Sequence, residues 1–497
     1  MLMQLINLGQ DSIATPLQQL LRFAKCDISP VKRSLRMRLL VLIVTTLAFM
    51  PKAIADEKIK ADLTTNAEYR VRYLYEKNAA GGASSLPNTL NSFHHRFKLG
   101  FNFRASEKIS ATATLIHTAL WGSDQNTLDS ANGTPDANGT DNFLMVNEAY
   151  GRWMVADDLH LKIGRQNFEL GDGNVIGVND WHEIPYAFDG VSALYEIEVG
   201  AFQLWGFKIA ELTKGPSDPA AATDLYGGDP EHNSFGVSFD LKAKPELVKM
   251  AHIHVIKDLR ATAPDPTLTS ANSEYGMDLF RIGAALKIEV SGFDLHANYS
   301  SRSGDYKFQE NPGDAVSKLD GSANMMQIQT GYTFEEWMRT RIGFVYHADS
   351  GTKSGSTDKM NTYDGYFYED HRNAGLMDLL NWGNLTYWGA SIDANPSDAT
   401  KVGLAYLKFS KTEDGSDVVA GPNGRYLFYT SSTVLANSTA HNDIGGEIDL
   451  YAEHSYDSGL NMITRFGYFM PGGALDNSTI QRGEGVWQAM VQGKMTF

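Results

Sequence analysis

The sequence predicts an all-β protein, a transmembrane antiparallel up-and-down β-barrel of about 18 strands with short periplasmic turns and long extracellular loops. Three observations support this prediction. Segments of about ten residues alternate apolar and polar side chains, short and long connections between them alternate, and the last segment ends in Phe497. No run of eighteen apolar residues occurs after residue 55, so a transmembrane helix is not predicted.

The first 55 residues have the pattern of a secretory signal peptide. A basic cluster precedes the apolar run LLVLIVTTLAFM, and small residues at positions 53 and 55 form a cleavage site before Asp56. We therefore expect an N-terminal extension with a signal peptide at residues 1–55 and a barrel at residues 56–497. The single cysteine, Cys26, lies in the extension, so disulfide and thiolate-metal chemistry are not expected in the barrel.

The charge of the chain argues against nucleic acid as a partner. Residues 1–55 hold seven Lys and Arg but only two Asp and Glu, so their removal changes the net charge from -16 to -21. Such an acidic surface repels a polyanionic backbone. Outer-membrane lipid is the partner that the predicted fold requires.

Each predicted strand has one apolar and one polar face. In NAEYRVRYLYE, Tyr69, Val71 and Tyr73 share one face, while Arg70 and Arg72 share the other. The same alternation predicts strands at residues 63–77, 93–104, 107–119, 145–155, 158–167, 188–197, 199–210, 232–243, 248–258, 278–289, 292–302, 323–333, 337–348, 385–394, 398–409, 443–454, 459–469 and 485–497.

The connections support a membrane barrel more strongly than a soluble β-domain, which is the alternative. Short turns at one end interleave with long polar loops, the longest near residues 349–384 and 410–442. A sheet in hydrocarbon must close on itself because an open edge would leave backbone groups without partners. The final segment VWQAMVQGKMTF resembles the C-terminal signature that outer-membrane proteins present to their assembly machinery, so this machinery is an expected partner.

The polar strand faces predict the lining of an aqueous lumen, because a barrel of this size is too wide to be filled by its own side chains. The basic candidates are Arg70, Arg72, Arg96, Lys98, Arg152, Lys162, Arg165, Arg281, Arg339, Arg341 and Arg465. The acids expected to orient them are Glu68, Glu148, Asp189, Glu447 and Asp449. Fixed arginines in a narrow pore favour anions. The alternative is that Arg–Glu ladders brace the barrel wall.

Catalytic and metal-binding patterns are poor, so an enzyme is not predicted. The thirteen histidines show no clustering that would hold zinc, and neither a G-x-S-x-G elbow nor a His-Glu-x-x-His helix occurs. In the loop GDGNVIG, residues 171–177, the nearby acids lack the spacing of a calcium loop. No cofactor is predicted, and calcium in an acidic external loop has no support.

One region resembles a known family. The run LKIGRQNFELGDGNVIGVNDW contains Gly164-Arg165-Gln166, and the next strand opens with Phe188-Asp189-Gly190-Val191. Both motifs are similar to those of the alginate export porins. Further similarity occurs in the strand with Arg70 and Arg72, in Asn147-Glu148-Ala149-Tyr150, and in GGEIDLYAEHSYDSGLNMITRFGYFMPGG.

The resemblance implies an eighteen-strand outer-membrane barrel whose electropositive constriction passes a polyanionic uronate polysaccharide. The chain departs from the family pattern at Asn174 and Tyr186-Ala187, where members often have arginine, and at Gly446, where a histidine often precedes the glutamate. An alginate-like polysaccharide and a smaller anionic solute therefore both stay open. A general diffusion porin and a structural or adhesive surface barrel are the alternatives.

Overall fold

The structure, a computed structural model, describes residues 62–78, 89–121, 143–210, 232–242, 245–260, 276–308, 317–356, 358–369, 371, 374–414, 441–475 and 485–497. The expected leader and most of the predicted loop 410–442 lie outside these residues. Among the residues described, no helix is long and apolar enough to cross a membrane.

The described strands form one antiparallel sheet. They are β1 (Asp62–Lys77), β2 (Thr89–Arg104), β3 (Ile109–Leu120), β4 (Phe143–Ala156), β5 (Leu159–Gln166), β6 (Phe188–Ile197), β7 (Gly200–Ala210), β8 (His232–Leu241), β9 (Val248–Arg260), β10 (Gly276–Val290), β11 (Phe293–Phe308), β12 (Ser317–Asp320), β13 (Ala323–Phe334), β14 (Thr340–Asp349), β15 (Leu385–Ser397), β16 (Thr400–Lys411), β17 (Asp443–Ser455), β18 (Leu460–Pro471) and β19 (Val486–Thr496).

The sheet closes into a barrel because β1 pairs with both β2 and β19. The short β12 pairs with the end of β11, and β11 pairs directly with β13 along the rest of its length. Within the described part of the chain, eighteen strands therefore complete the circle and β12 extends one edge of the wall. This arrangement confirms the predicted antiparallel barrel of about 18 strands.

The strand faces follow the alternation of the sequence. In β10, Phe280 and Ile282 are 51% and 59% exposed, while Arg281 between them is 1% exposed. Phe280 and Ile282 therefore face lipid and Arg281 faces the lumen, as expected for a barrel with an apolar outer surface. Charge on the outer face is costly near the bilayer midplane, which favours this register.

Two long loops fold into the barrel. We call residues 167–187, between β5 and β6, the first inner loop, and the described residues of 350–384, between β14 and β15, the second inner loop. The sequence predicts long extracellular loops, and the structure shows that these two fold back into the lumen. Ile176 and Trp382 are both 1% exposed, since each packs in an apolar cluster against inward-facing wall residues. A backbone bridge between Ile176 and Phe367 joins the two loops.

Candidate functional site

The first inner loop crosses the lumen from one wall to the opposite one. On β1, Arg70 donates hydrogen bonds to the Asp180 carbonyl at 3.0 Å and to the Glu183 carboxylate at 3.0 Å. At the other end of the loop, Asp172 lies 2.7 Å from His296 on β11. β1 and β11 lie on different sides of the closed sheet, so the loop narrows the channel between them.

Five basic side chains surround the first inner loop, and we call them the first basic group: Arg70, Arg72, Arg96, Lys98 and Arg465. Arg96 donates to Glu68 at 2.6 Å and to the His182 carbonyl at 2.8 Å. Lys98 donates to Asp180 at 2.9 Å. All five side chains were predicted from the sequence as lumen residues, and the structure brings them together on β1, β2 and β18.

Trp181 at the tip of the first inner loop lies between cations and the second inner loop. The guanidinium carbons of Arg72 and Arg465 lie 3.9 and 4.1 Å from its ring centroid. The ring also stacks on His371 at 3.6 Å, and its indole nitrogen donates to Asp378 at 3.1 Å. Cation–π and stacking contacts of this kind fix the position of the ring.

A second basic group, Arg281 and Arg302, holds the second inner loop. Both guanidinium groups contact Asp364, at 2.5 and 3.0 Å. Arg302 was not among the predicted site residues, although the sequence contains a signal for it. The two-residue turn at 291–292 fixes the β10–β11 register, and this register places Arg302 directly opposite Arg281.

Glu447 and Asp449 on β17 also hold the second inner loop. They accept hydrogen bonds from the backbone N–H groups of Met377 at 3.1 Å and Leu376 at 3.2 Å. Gln488 on β19 donates to the Met377 carbonyl at 3.1 Å. These acids were expected to orient arginines, and in this loop their hydrogen-bond donors are backbone amides.

A cavity of about 980 Å³ lies at the periplasmic end of the lumen. Its lining mixes both charges, and Arg341 there forms a two-point contact with Asp294 at 2.7 and 2.8 Å. Arg339 was predicted on a strand, but β14 begins at Thr340. Arg339 lies in the preceding turn, 3.7 Å from Glu335, and is exposed.

Three further predicted residues face the lumen from β4 and β5. Arg152 and Lys162 are directly opposite each other, and the Lys162 ammonium lies 5.0 Å from the Tyr150 ring centroid. Glu148 accepts hydrogen bonds from Thr114 at 3.0 Å and from the Asn167 N–H at 3.2 Å. Glu148 therefore anchors the start of the first inner loop.

Arg165 and Asp189 face outward, which corrects their predicted place in the pore lining. They form a salt bridge of 2.9 Å. Each lies two residues from an exposed apolar side chain on its own strand, Ile163 and Val191 respectively. Lys162 and Arg165 are three residues apart, and an unbroken strand puts residues at odd spacing on opposite faces. The motif around Arg165 thus contributes to the outer wall.

The turn GDGNVIG forms the part of the first inner loop that faces β9 to β13. Gly171 and Gly173 have φ angles of 58° and 79°, a conformation that favours glycine. Between them, Asp172 accepts hydrogen bonds from the Asn174 backbone N–H at 3.1 Å and side chain at 2.7 Å. Within the described ranges, no group of three or more His, Cys, Asp or Glu side chains could hold a metal ion.

Three inner-loop acids that contact the basic groups are charged at neutral pH. Burial opposes ionisation of Glu183, but Arg70 and Arg72 lower its pKa to about 2. Burial opposes ionisation of Asp180 too, but Arg96 and Lys98 outweigh it and lower the pKa of this carboxyl. Arg281 and Arg302 lower the pKa of Asp364 in the same way. The contacts between the loops and the two basic groups therefore involve ionised partners.

The loop contacts are expected to persist at neutral pH and to weaken in acid. Because the pKa of Glu183 is lowered from 4.5 to about 2, its contribution is present above pH 4.5 and is lost as the pH falls toward 2. The difference in single-channel conductance between the wild type and Glu183→Gln should stay constant from pH 7 to about pH 5 and shrink below that range. A difference that disappears between pH 6 and 7 would contradict the role of ionised Glu183.

Comparison with known proteins identifies the family. The family model for alginate export matches residues 62–488. No curated protein is significantly similar to the chain in sequence.

Solved structures from Pseudomonas aeruginosa share the fold. OpdK, solved with vanillate, is 12% identical with a TM-score of 0.53, over 88% of this chain and 98% of that chain. OpdL is 10% identical with a TM-score of 0.52, over 88% and 99% of the two chains. OccK8 (OprE) is 10% identical with a TM-score of 0.52, over 88% and 98%.

The family match covers most of the chain and coincides with the closed barrel. The barrel encloses a lumen with inward-facing polar side chains, and its outer face carries apolar ones. The protein therefore belongs to the alginate export family and is a porin channel of the bacterial outer membrane.

Proposed function

We propose that the channel passes an anionic polysaccharide of the alginate type, or a related anionic solute, through an arginine-lined lumen. The observation that carries this proposal is the first basic group, in which Arg70, Arg72 and Arg96 converge on one level of the wall. Guanidinium groups bind carboxylates by paired hydrogen bonds. The loop carboxylates of Asp180 and Glu183 occupy the positions that solute carboxylates would take.

The family match and one structural neighbour support an anionic solute. The matched family is named for alginate export, and alginate is a chain of uronates with one carboxylate on each sugar. OpdK was solved with vanillate, which carries a carboxylate. The transport is passive in this proposal, because diffusion along fixed charges needs no energy source.

A general diffusion porin of low selectivity is the second candidate. The mixed charge of the periplasmic cavity favours it, since Arg341 and Arg339 are both paired with acids there. In the first basic group, too, Glu68, Asp180 and Glu183 offset part of the positive charge. Anion selectivity thus depends on whether carboxylates of the solute can replace those of the loop acids as partners of the first basic group.

Planar-bilayer recordings test the proposal. We expect reversal potentials that show anion preference, and block of the current by added oligouronate. Replacing Arg152, which faces the lumen, with alanine should lower the anion preference, while Arg165→Ala serves as the control because Arg165 faces outward. A cation-selective pore that oligouronate does not block would contradict the proposal. A barrel that does not conduct would favour a structural or adhesive role.

We further propose that the last strand is the recognition signal for the outer-membrane assembly machinery. β19 closes the barrel against β1, and the Phe497 N–H donates to the Ala67 carbonyl at 2.8 Å. The Phe497 side chain is exposed next to this closing seam. The assembly machinery acts on chains that have been secreted. The same proposal therefore includes secretion by a signal peptide that is cleaved before Asp56.

A further inference from the structure

A cluster of charged side chains lies on the outer face of the wall, at the extracellular ends of β9 to β12. We call it the outer rim cluster: Lys257, Asp278, Asp305, Lys307 and Lys318. Strand alternation fixes its orientation. Lys257 lies between the buried Ile256 and Asp258, and Lys307 follows the buried Tyr306. Their side chains therefore point away from the lumen, toward the surrounding membrane.

The depth of the cluster follows from the apolar band below it. On β10, the outward residues from Phe280 to Val290 span ten residues, and both ends are exposed apolar side chains. At about 3.4 Å per residue and a tilt of about 40°, this length corresponds to roughly 26 Å across the membrane. Outer-membrane barrels have an apolar band of about 25 Å. Asp278 lies beyond Phe280, so the cluster is at the level of the lipid headgroups.

The three lysines of the cluster are arranged closely. Lys307 and Lys318 are directly opposite each other in the β11–β12 register, where like charges repel. Lys307 lies 3.4 Å from Asp278, and Lys318 lies 2.8 Å from Asp305. Lys257 pairs with Asp278, and its ammonium lies 3.9 Å from the Phe280 ring centroid. Asp320 lies directly opposite Asp305 on the same outer face, so the surface here has three carboxylates for three lysines, and the repulsion between the facing Lys307 and Lys318 remains.

We propose that the outer rim cluster binds the phosphate group of a lipid headgroup in the outer leaflet. A phosphate between Lys307 and Lys318 would relieve their repulsion and would supply acceptors for ammonium groups that are still partly exposed. The acyl chains of such a lipid would lie along the apolar band at Phe280 and Ile282. This surface is separate from the lumen, so the inference does not depend on the transported solute.

Native mass spectrometry of the detergent-purified barrel tests the inference. The probes are bis-phosphorylated lipid A, the same lipid without phosphates, and inorganic phosphate. We expect the phosphorylated lipid to be retained, and Lys307→Gln to weaken its binding about fivefold, the effect of one lysine near a charged headgroup. The phosphate-free lipid should bind more weakly than the phosphorylated one.

Lys242→Gln is the matched control, because Lys242 is an exposed lysine that pairs with Glu196 at the periplasmic end of the wall. Its binding of the lipid should be unchanged. The Lys307→Arg variant keeps the charge and should bind as the wild type does, which separates a charge effect from misfolding. The proposal is overturned if Lys307→Gln binds the phosphorylated lipid normally. Equal retention of the phosphate-free lipid, or binding of inorganic phosphate alone, would overturn it too.

Discussion

Replacing Asp364 with alanine is expected to release the second inner loop from the wall and to raise single-channel conductance severalfold. Arg281 and Arg302 are both about 1% exposed, and both contact Asp364. Removing one partner of a buried ion pair costs about 3–5 kcal/mol because the remaining charge is left unpaired. Asp364 itself is 37% exposed, so the lower end of this range is expected. Here two guanidinium groups would also repel each other.

Planar-bilayer recording and limited proteolysis measure this release. In the variant, the second inner loop should become a cleavage site while the strands stay protected. Asp358→Ala is the matched control, because Asp358 is an exposed acid in the same loop that contacts neither arginine. Its conductance and protection should equal those of the wild type. Unchanged conductance and an uncleaved loop in the Asp364 variant would show that apolar packing holds the loop without this ion pair.

Neutralising Asp180 and Glu183 together is expected to increase anion selectivity by roughly tenfold. The variant Asp180→Asn with Glu183→Gln removes two negative charges that lie within about 3 Å of Arg70, Arg96 and Lys98. At such a distance, the interaction energy between two unit charges is about 1 kcal/mol in water and larger in a narrow lumen. The freed cations would then attract solute anions. The reversal potential in a salt gradient measures the change.

Asp172→Asn is the control for this double variant. Asp172 lies in the same loop, but its partner is His296 on the opposite wall. Its replacement removes one negative charge from the loop at a site far from the first basic group. Anion selectivity should therefore change little. If the double variant has wild-type selectivity, the arginines only hold the loop. The bracing interpretation of the lumen arginines would then be correct.

Local sequence patterns were sufficient to predict the fold and the inward or outward direction of most side chains in the barrel wall. The alternation around Phe280 and Ile282 predicts which face of β10 meets lipid, since a strand has a period of two residues. The same rule could have placed Arg165 outward, given that Lys162 faces inward. Counting residues outward from the two-residue turn at 291–292 could also have predicted that Arg302 lies directly opposite Arg281.

The inner loops could not be predicted in this way. Asp364 meets Arg281 across 83 residues of sequence, and Glu183 meets Arg70 across 113. No periodic pattern links these partners, because loop residues have no fixed direction until they pack against a wall. The GDGNVIG motif was recognisable as a family feature, but its path into the lumen depends on contacts at both of its ends.

The sequence by itself determined a closed membrane barrel, its family and the positions of arginines on the polar faces of its strands. These properties follow from alternation within strands, from the lengths of connections and from local motifs. Only the tertiary structure decided that two loops enter the lumen and pair with those arginines. The physical reason is that buried charges need partners, and the acids that pair with them here come from segments distant in sequence.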